Sequence, residues 1–228
     1  MTAQSLGEFL ASELRSTLFA PRLSPQLSAL KSWLGTGSIN VFGAPMSEKD
    51  EICRRLAADF GGITISSGDI IRNAEQNILH HSITSSGRYF PSGYFYQLVL
   101  PYLKNPSFKS RPLFLASVGR SDGEEVLITK VLHDSEHDLK AVIILNMPEA
   151  VSFNLRERAQ KSAPWTLHPE DSNATLFQVK LREYRMKTLP VLARYRARAL
   201  AVDIDATQPP ADLYADCLNK LYYFMTHQ

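Results

Sequence analysis

Two arrangements in the stretch Ile39 to Arg72, INVFGAPMSEKDEICRRLAADFGGITISSGDIIR, place cationic side chains beside glycine turns. In the first, the apolar run Ile39, Val41, Phe42 breaks at Gly43-Ala44-Pro45. Ser47 follows, and Lys49 opens a segment whose apolar positions Ile52, Leu56, Ala57 and Phe60 recur at helical spacing. A turn after a buried strand aims backbone N–H groups and a helix N-terminus at an anion, and a lysine can reach over it; the chemistry is phosphate binding. The second arrangement is Ser66-Ser67-Gly68-Asp69 with Arg72. Asp69 can cap the helix that contains Ile70 and Ile71, and a helix cap and a phosphate site share the same geometry.

The elements that position these residues follow from the pattern around them. Strands are expected near 39–43, 62–66, 112–117, 140–145 and 200–204, the clearest being Leu139 to Leu145, continuous and β-branched as a strand buried on both faces should be. Helices are expected from Lys49, over Pro91 to Leu103, from Pro148, over Ser172 to about Arg198, and over Pro210 to Phe224. This alternation gives an α/β fold with a parallel sheet, helices on both faces, and ligands at the carboxyl ends of the strands. Residues 1–37 stand apart as an N-terminal helical extension. Leu6, Phe9, Leu10, Leu14 and Leu18 share one helical face, and Leu27, Leu30 and Leu34 suggest a second short helix. These helices either pack on the domain surface or dock a protein partner.

GAPMSEKDE resembles the GAPGSGKGT loop of adenylate kinases, and SSGDIIR resembles their STGD-x-x-R element. The resemblance spans residues 38–225. It implies a P-loop kinase-like three-layer sandwich with a five-stranded parallel sheet over 38–228, a small helical acceptor-binding insert at about 69–104 and a short lid at about 159–171. Gly43, Ala44, Pro45, Ser47 and Lys49 match the family's donor-phosphate loop. Met46, Glu48 and Asp50 stand where it has glycine, and Glu51 where it has the threonine that helps hold magnesium. By the same resemblance Ser67, Gly68, Arg72 and Arg120 would meet the acceptor AMP, and Glu124 would stand at the adenine. Ala116-Ser117-Val118-Gly119-Arg120 replaces D-G-F-P-R, which leaves Ala116 where an aspartate serves the magnesium shell. Arg156 or Arg158, and Lys180 within Lys-Leu-Arg-Glu-Tyr, fall near the positions of arginines that fold over the phosphates, whereas His168 takes the place of one such arginine.

The departures have a physical cost. Glycine in such a loop adopts φ > 0 or admits phosphate to the backbone, and an ordinary residue in that conformation costs about 1–2 kcal/mol. Carboxylates on Glu48 and Glu51 about 5 Å from a phosphate charge would each repel it by roughly 3 kcal/mol at an effective dielectric near 20. Asp50 or Glu51 could instead ligate Mg²⁺ directly.

Composition bounds the rest. A chain of 228 residues can bury a full core as one domain, and a net charge of +2 does not advertise nucleic-acid binding. Cys53 and Cys217 sit in well-separated segments, which points to a reducing compartment without a disulfide framework. No apolar run approaches a membrane span, no secretory signal is expected at the N-terminus, and the expected location is cytoplasmic. No residue is assigned as a metal ligand, and a lid without cysteine excludes zinc there. Three functions stay open. One is a pseudoenzyme that has lost phosphoryl transfer but keeps an AMP pocket. Another is an active nucleoside monophosphate kinase using Mg-ATP. The third is a structural or regulatory module that binds a protein partner through its N-terminal helices or its basic C-terminal helix.

Overall fold

The computed structural model describes residues 25–73, 86–163, 167 and 169–228. The first expected helix, with Leu6 to Leu18, and His168 lie outside the described residues. Helix α1 (residues 25–34) precedes β1 (Ser38–Gly43), α2 (Lys49–Phe60), β2 (Ile63–Ser66) and α3 (Ser67–Asn73). Helix α4 runs from Ser92–Tyr94 through a widened π segment, Phe95–Val99, to Leu100–Tyr102. Then come β3 (Leu113–Ala116), α5 (Glu124–Asp134), β4 (Leu139–Asn146), α6 (Glu149–Ser162) and the single turn α7 (Pro169–Ser172). The long helix α8 joins Ala174–Glu183, a second π segment Tyr184–Thr188, and Leu189–Ala197; β5 (Ala201–Asp205) and α9 (Pro210–Thr226) end the chain.

The five strands are all parallel in the order β2-β3-β1-β4-β5, so the sheet has β1 at its centre and both crossover directions meet beside it. That switch point is where an open α/β sheet leaves a crevice. Period-two alternation divides the strand residues between the two faces. Ile39, Val41, Phe114, Ala116, Ala141, Ile143 and Leu145 face α1, α2 and α9, sharing a core with Leu30, Ile52, Leu56, Leu213 and Leu221. On the opposite face Phe42, Val142 and Ile144 pack under Val191, Leu192 and Tyr195 of α8. Leu113 and Leu115 pack under Phe95 and Val99 of α4 and Ile128 and Leu132 of α5. Each buried aliphatic side chain contributes about 1.5–3 kcal/mol, which makes the five apolar residues Ala141 to Leu145 of β4 a chief source of stability. Leu30 and Leu34 are fully buried, so α1 belongs to the main core rather than lying over it.

Both π segments have the same cause. Pro101 and Pro190 each fall two residues beyond one. A proline inside a helix lacks an N–H and crowds the carbonyl four residues back. The helix widens instead, so that the Leu100 N–H reaches the Phe95 carbonyl and the Leu189 N–H reaches the Tyr184 carbonyl, five residues apart.

Candidate functional site

A cleft of about 580 Å³ opens beyond the carboxyl ends of β1, β2 and β3. The loop after β1 forms its floor. An added Cβ on Gly43 would stand 2.1 Å from Ser47 Oγ and 3.0 Å from Leu145 Cβ, so the loop closes back on the strand at a distance that glycine alone permits. The Ser47 N–H donates to the Ala44 carbonyl at 3.2 Å, and Ser152 Oγ donates to the Pro45 carbonyl at 2.6 Å. Met46 (φ 68°) and Glu48 (φ 62°) hold the left-handed conformation. Two non-glycine residues of the loop thus hold the backbone region that favours glycine, whereas Asp50 lies in the first turn of α2.

Carboxylates dominate the electrostatics of this floor. Lys49 Nζ is paired with Asp50 Oδ2 at 2.7 Å, and Glu51 with Arg54. Partial burial, together with the Glu51 and Asp50 charges, raises the Glu48 carboxyl above its ordinary range against the opposing pull of Lys49. Across the cleft Lys180 Nζ meets Asp171 Oδ1 at 2.7 Å.

On the second wall, Ser66 Oγ accepts from the Asp69 N–H at 3.3 Å, so Ser66 caps α3 where the sequence suggested Asp69. Ser67 and Gly68 line the cleft; Arg72 lies on α3, and its side chain is outside the described residues. Arg120 also lines the cleft, with its guanidinium carbon 4.0 Å from the centre of the Tyr89 ring. Behind it, the fully buried Asn40 donates from Nδ2 to the Val118 carbonyl at 2.7 Å and accepts the Val118 N–H at 3.3 Å. This side-chain pair ties β1 to the loop that presents Arg120.

The structure therefore brings Gly43, Pro45, Ser47, Lys49, Ser67, Gly68, Arg120 and Lys180 to one cleft. Ala44 is buried behind the loop. Two expected residues are placed elsewhere. Arg156 is buried and donates to the carbonyls of Asp171 (2.8 Å) and Ser172, because the chain after the lid segment has carbonyls that need a donor there. Glu124 is also buried, its oxygens taken by Ser92 Oγ at 2.8 Å and the Ser121 N–H at 3.1 Å, where it secures the start of α5. Among the described residues no group of three His, Cys, Asp or Glu side chains is placed to hold a metal ion. At the positions that the resemblance assigns to magnesium, Ala116 has no side-chain oxygen and Glu51 is paired with Arg54, while Asp50 is paired with Lys49, so this donor set does not fit Mg²⁺. Sequence reasoning missed Asn40, Tyr89 and Thr188; it marked Asp171 through the segment His168-Pro169-Glu170-Asp171, which stands where adenylate kinases have R-x-D-D, but gave it no role. A lone amide in an apolar strand marked Asn40; nothing local marked Tyr89 or Thr188.

No family model matches the chain. It is similar to an adenylate kinase of Zymomonas mobilis, 24% identical over an alignment of 206 residues, gaps included, with 77% of this chain and 92% of that protein covered. It is similar also to UMP-CMP kinase 2 of Oryza sativa, 24% identical over 187 residues that cover 80% of this chain and 72% of that one. Among solved structures a gluconokinase from Sinorhizobium meliloti shares the fold, with a TM-score of 0.55 and 19% identity over 83% of this chain and 94% of that one. The loop after β1 and the five parallel strands give the chain a P-loop kinase-like α/β fold, and its sequence is similar to those of nucleoside monophosphate kinases.

Proposed function

We propose that this protein binds a nucleoside monophosphate, AMP being the first to test, at the Ser67, Gly68 and Arg120 side of the cleft, and that phosphoryl transfer from ATP is impaired. One observation carries the reading: Lys49 and Lys180, the cations that would meet the transferring group, are each held at 2.7 Å by a carboxylate, while Arg120 rests on an aromatic face. Phosphoryl transfer depends on cations positioned around the phosphates. A lysine already neutralised must give up its partner before it can serve, and Glu48 adds repulsion. Arg120, by contrast, keeps the edges of its guanidinium for a two-point grip on a phosphate. The proposed roles are Arg120 and Arg72 on the acceptor phosphate, Ser67 and Gly68 along the nucleotide, and Lys49 and Lys180 with the donor loop as a vestigial site. Magnesium would supply charge neutralisation in a working donor site, and the donor set here supports no step through it.

Calorimetric titration with AMP and with Mg-ATP tests this. AMP is expected to bind and Mg-ATP to bind far more weakly; tight Mg-ATP binding without AMP binding overturns it. A second reading, an active kinase, draws on the left-handed loop and on Lys49, Lys180 and Arg120 lining one cleft. ADP formation from Mg-ATP and AMP at high protein concentration, compared with Lys49→Met, separates the two. A rate that vanishes in the variant favours the kinase, and no rate above the variant favours the impaired protein.

A further inference from the structure

We propose that Tyr89 is a positioning residue for Arg120, holding the guanidinium in the attitude in which it takes a ligand's phosphate; this rests on the nucleotide reading above. Three segments distant in sequence converge here. The Arg120 guanidinium carbon lies 4.0 Å above the Tyr89 ring. The Tyr89 hydroxyl lies 3.1 Å from Thr188 Oγ1, and Thr188 Oγ1 donates to the Arg120 carbonyl at 3.2 Å. Threonine has one hydroxyl proton, spent on that carbonyl, so the Tyr89 hydroxyl is the donor to Thr188. The three residues thus form a closed circuit: ring to guanidinium, hydroxyl to hydroxyl, hydroxyl back to the arginine's own main chain.

The circuit is anchored at each corner. Thr188 is fully buried at the end of the π segment of α8. The Tyr89 N–H donates to Glu183 Oε2 at 3.2 Å, and the same carboxylate pairs with Lys187 Nζ at 2.5 Å, whose charge lies 5.7 Å from the Tyr89 ring centre. Tyr89, Arg120 and Thr188 all line the cleft. Stacking takes the face of a guanidinium and leaves its in-plane N–H groups, the ones that match two oxygens of a phosphate. Without the ring Arg120 samples many rotamers, and a ligand must order it on binding. The contribution is specific to the phosphate, because the ring acts through Arg120 and not on the nucleoside.

The test compares AMP with adenosine on the full chain, by calorimetry or by ligand-induced shift of the melting temperature. Tyr89→Leu is expected to weaken AMP about fivefold to tenfold, the range of a partly desolvated cation–π contact, while adenosine moves less than twofold. Tyr89→Phe restores the ring and recovers most of the loss. In an Arg120→Lys background, Tyr89→Leu adds little, since a lysine does not present a stacked fork. Should Tyr89→Leu not fold, Thr188→Val breaks the circuit and keeps the ring; AMP is then expected to weaken about two- to threefold, the share of one hydrogen bond, with adenosine steady. Equal losses for AMP and adenosine, or full AMP affinity in Tyr89→Leu or in Thr188→Val, overturn the inference while leaving the AMP pocket intact. A native chain that binds no AMP overturns both.

Discussion

Met46 and Glu48 sit in the left-handed region, where an ordinary side chain costs about 1–2 kcal/mol and where glycine's larger unfolded-state entropy offsets part of any gain from replacing them. Met46→Gly should therefore stabilise the protein by about 0.5–1 kcal/mol, which for a chain of this size raises the melting temperature by roughly 1–4 °C. A melting temperature that falls would show that the methionine side chain contributes more by contact than its backbone loses. Glu48 adds a pH dependence. Its carboxyl titrates above the ordinary 4.5 when folded, so between 4.5 and the raised value the native state binds more protons than the unfolded one, and stability falls as pH rises through that window. Glu48→Gln removes the effect. The variant should melt above the parent at neutral pH, and the gap should close below about pH 4.5; a gap constant with pH would contradict the assignment.

The pieces of secondary structure were legible where one periodicity ruled and obscure where tertiary demands overrode it. All five strands lie where alternation or a β-branched run placed them, within a residue or two. Lys49 opens α2 as expected, and the last helix begins at Pro210. The π widenings were beyond a helical-period reading, although Pro101 and Pro190 mark both. Arg156 was expected at the phosphates because it falls near an arginine position of the adenylate kinase lid; instead its donors serve carbonyls near the lid segment. Asn40 shows what one polar residue inside a strand can decide. Asn40→Leu leaves the Val118 N–H and carbonyl without their partners, a loss of about 2–3 kcal/mol, and should lower the melting temperature by roughly 4–12 °C. AMP affinity should fall with it, since Arg120 follows two residues on. A variant that melts normally would mean water had replaced the amide.

At the scale of the whole molecule, two layers of helix seal the sheet and bury both cysteines in the core on the α2 and α9 side. Burial raises the Cys53 thiol strongly and pushes Cys217 up to about 12. Neither should react with a disulfide reagent at pH 8 until the protein unfolds, and rapid labelling of the native chain would contradict that burial. The sign for stability runs with pH: above the ordinary thiol value of 9.0 the unfolded chain releases protons that the native chain retains, so the fold weakens in alkali.

The widened turn in α8 also sets a phase. Inserting one residue into a helix of 3.6 residues per turn rotates everything before it by about 100° relative to everything after. Lys180 lies on one side of Tyr184–Thr188, and Val191, Leu192 and Tyr195 on the other. The face that seals the sheet and the face that lines the cleft are thus set by different phases of one helix. Two chains of equal length, aligned without a gap, would present different residues to the cleft if only one of them carried the widening. A deletion within Tyr184–Thr188 would rotate Lys180, together with the turn that carries Asp171, relative to Val191, Leu192 and Tyr195, turning Lys180 out of the cleft while leaving the apolar contacts of Tyr195 in place.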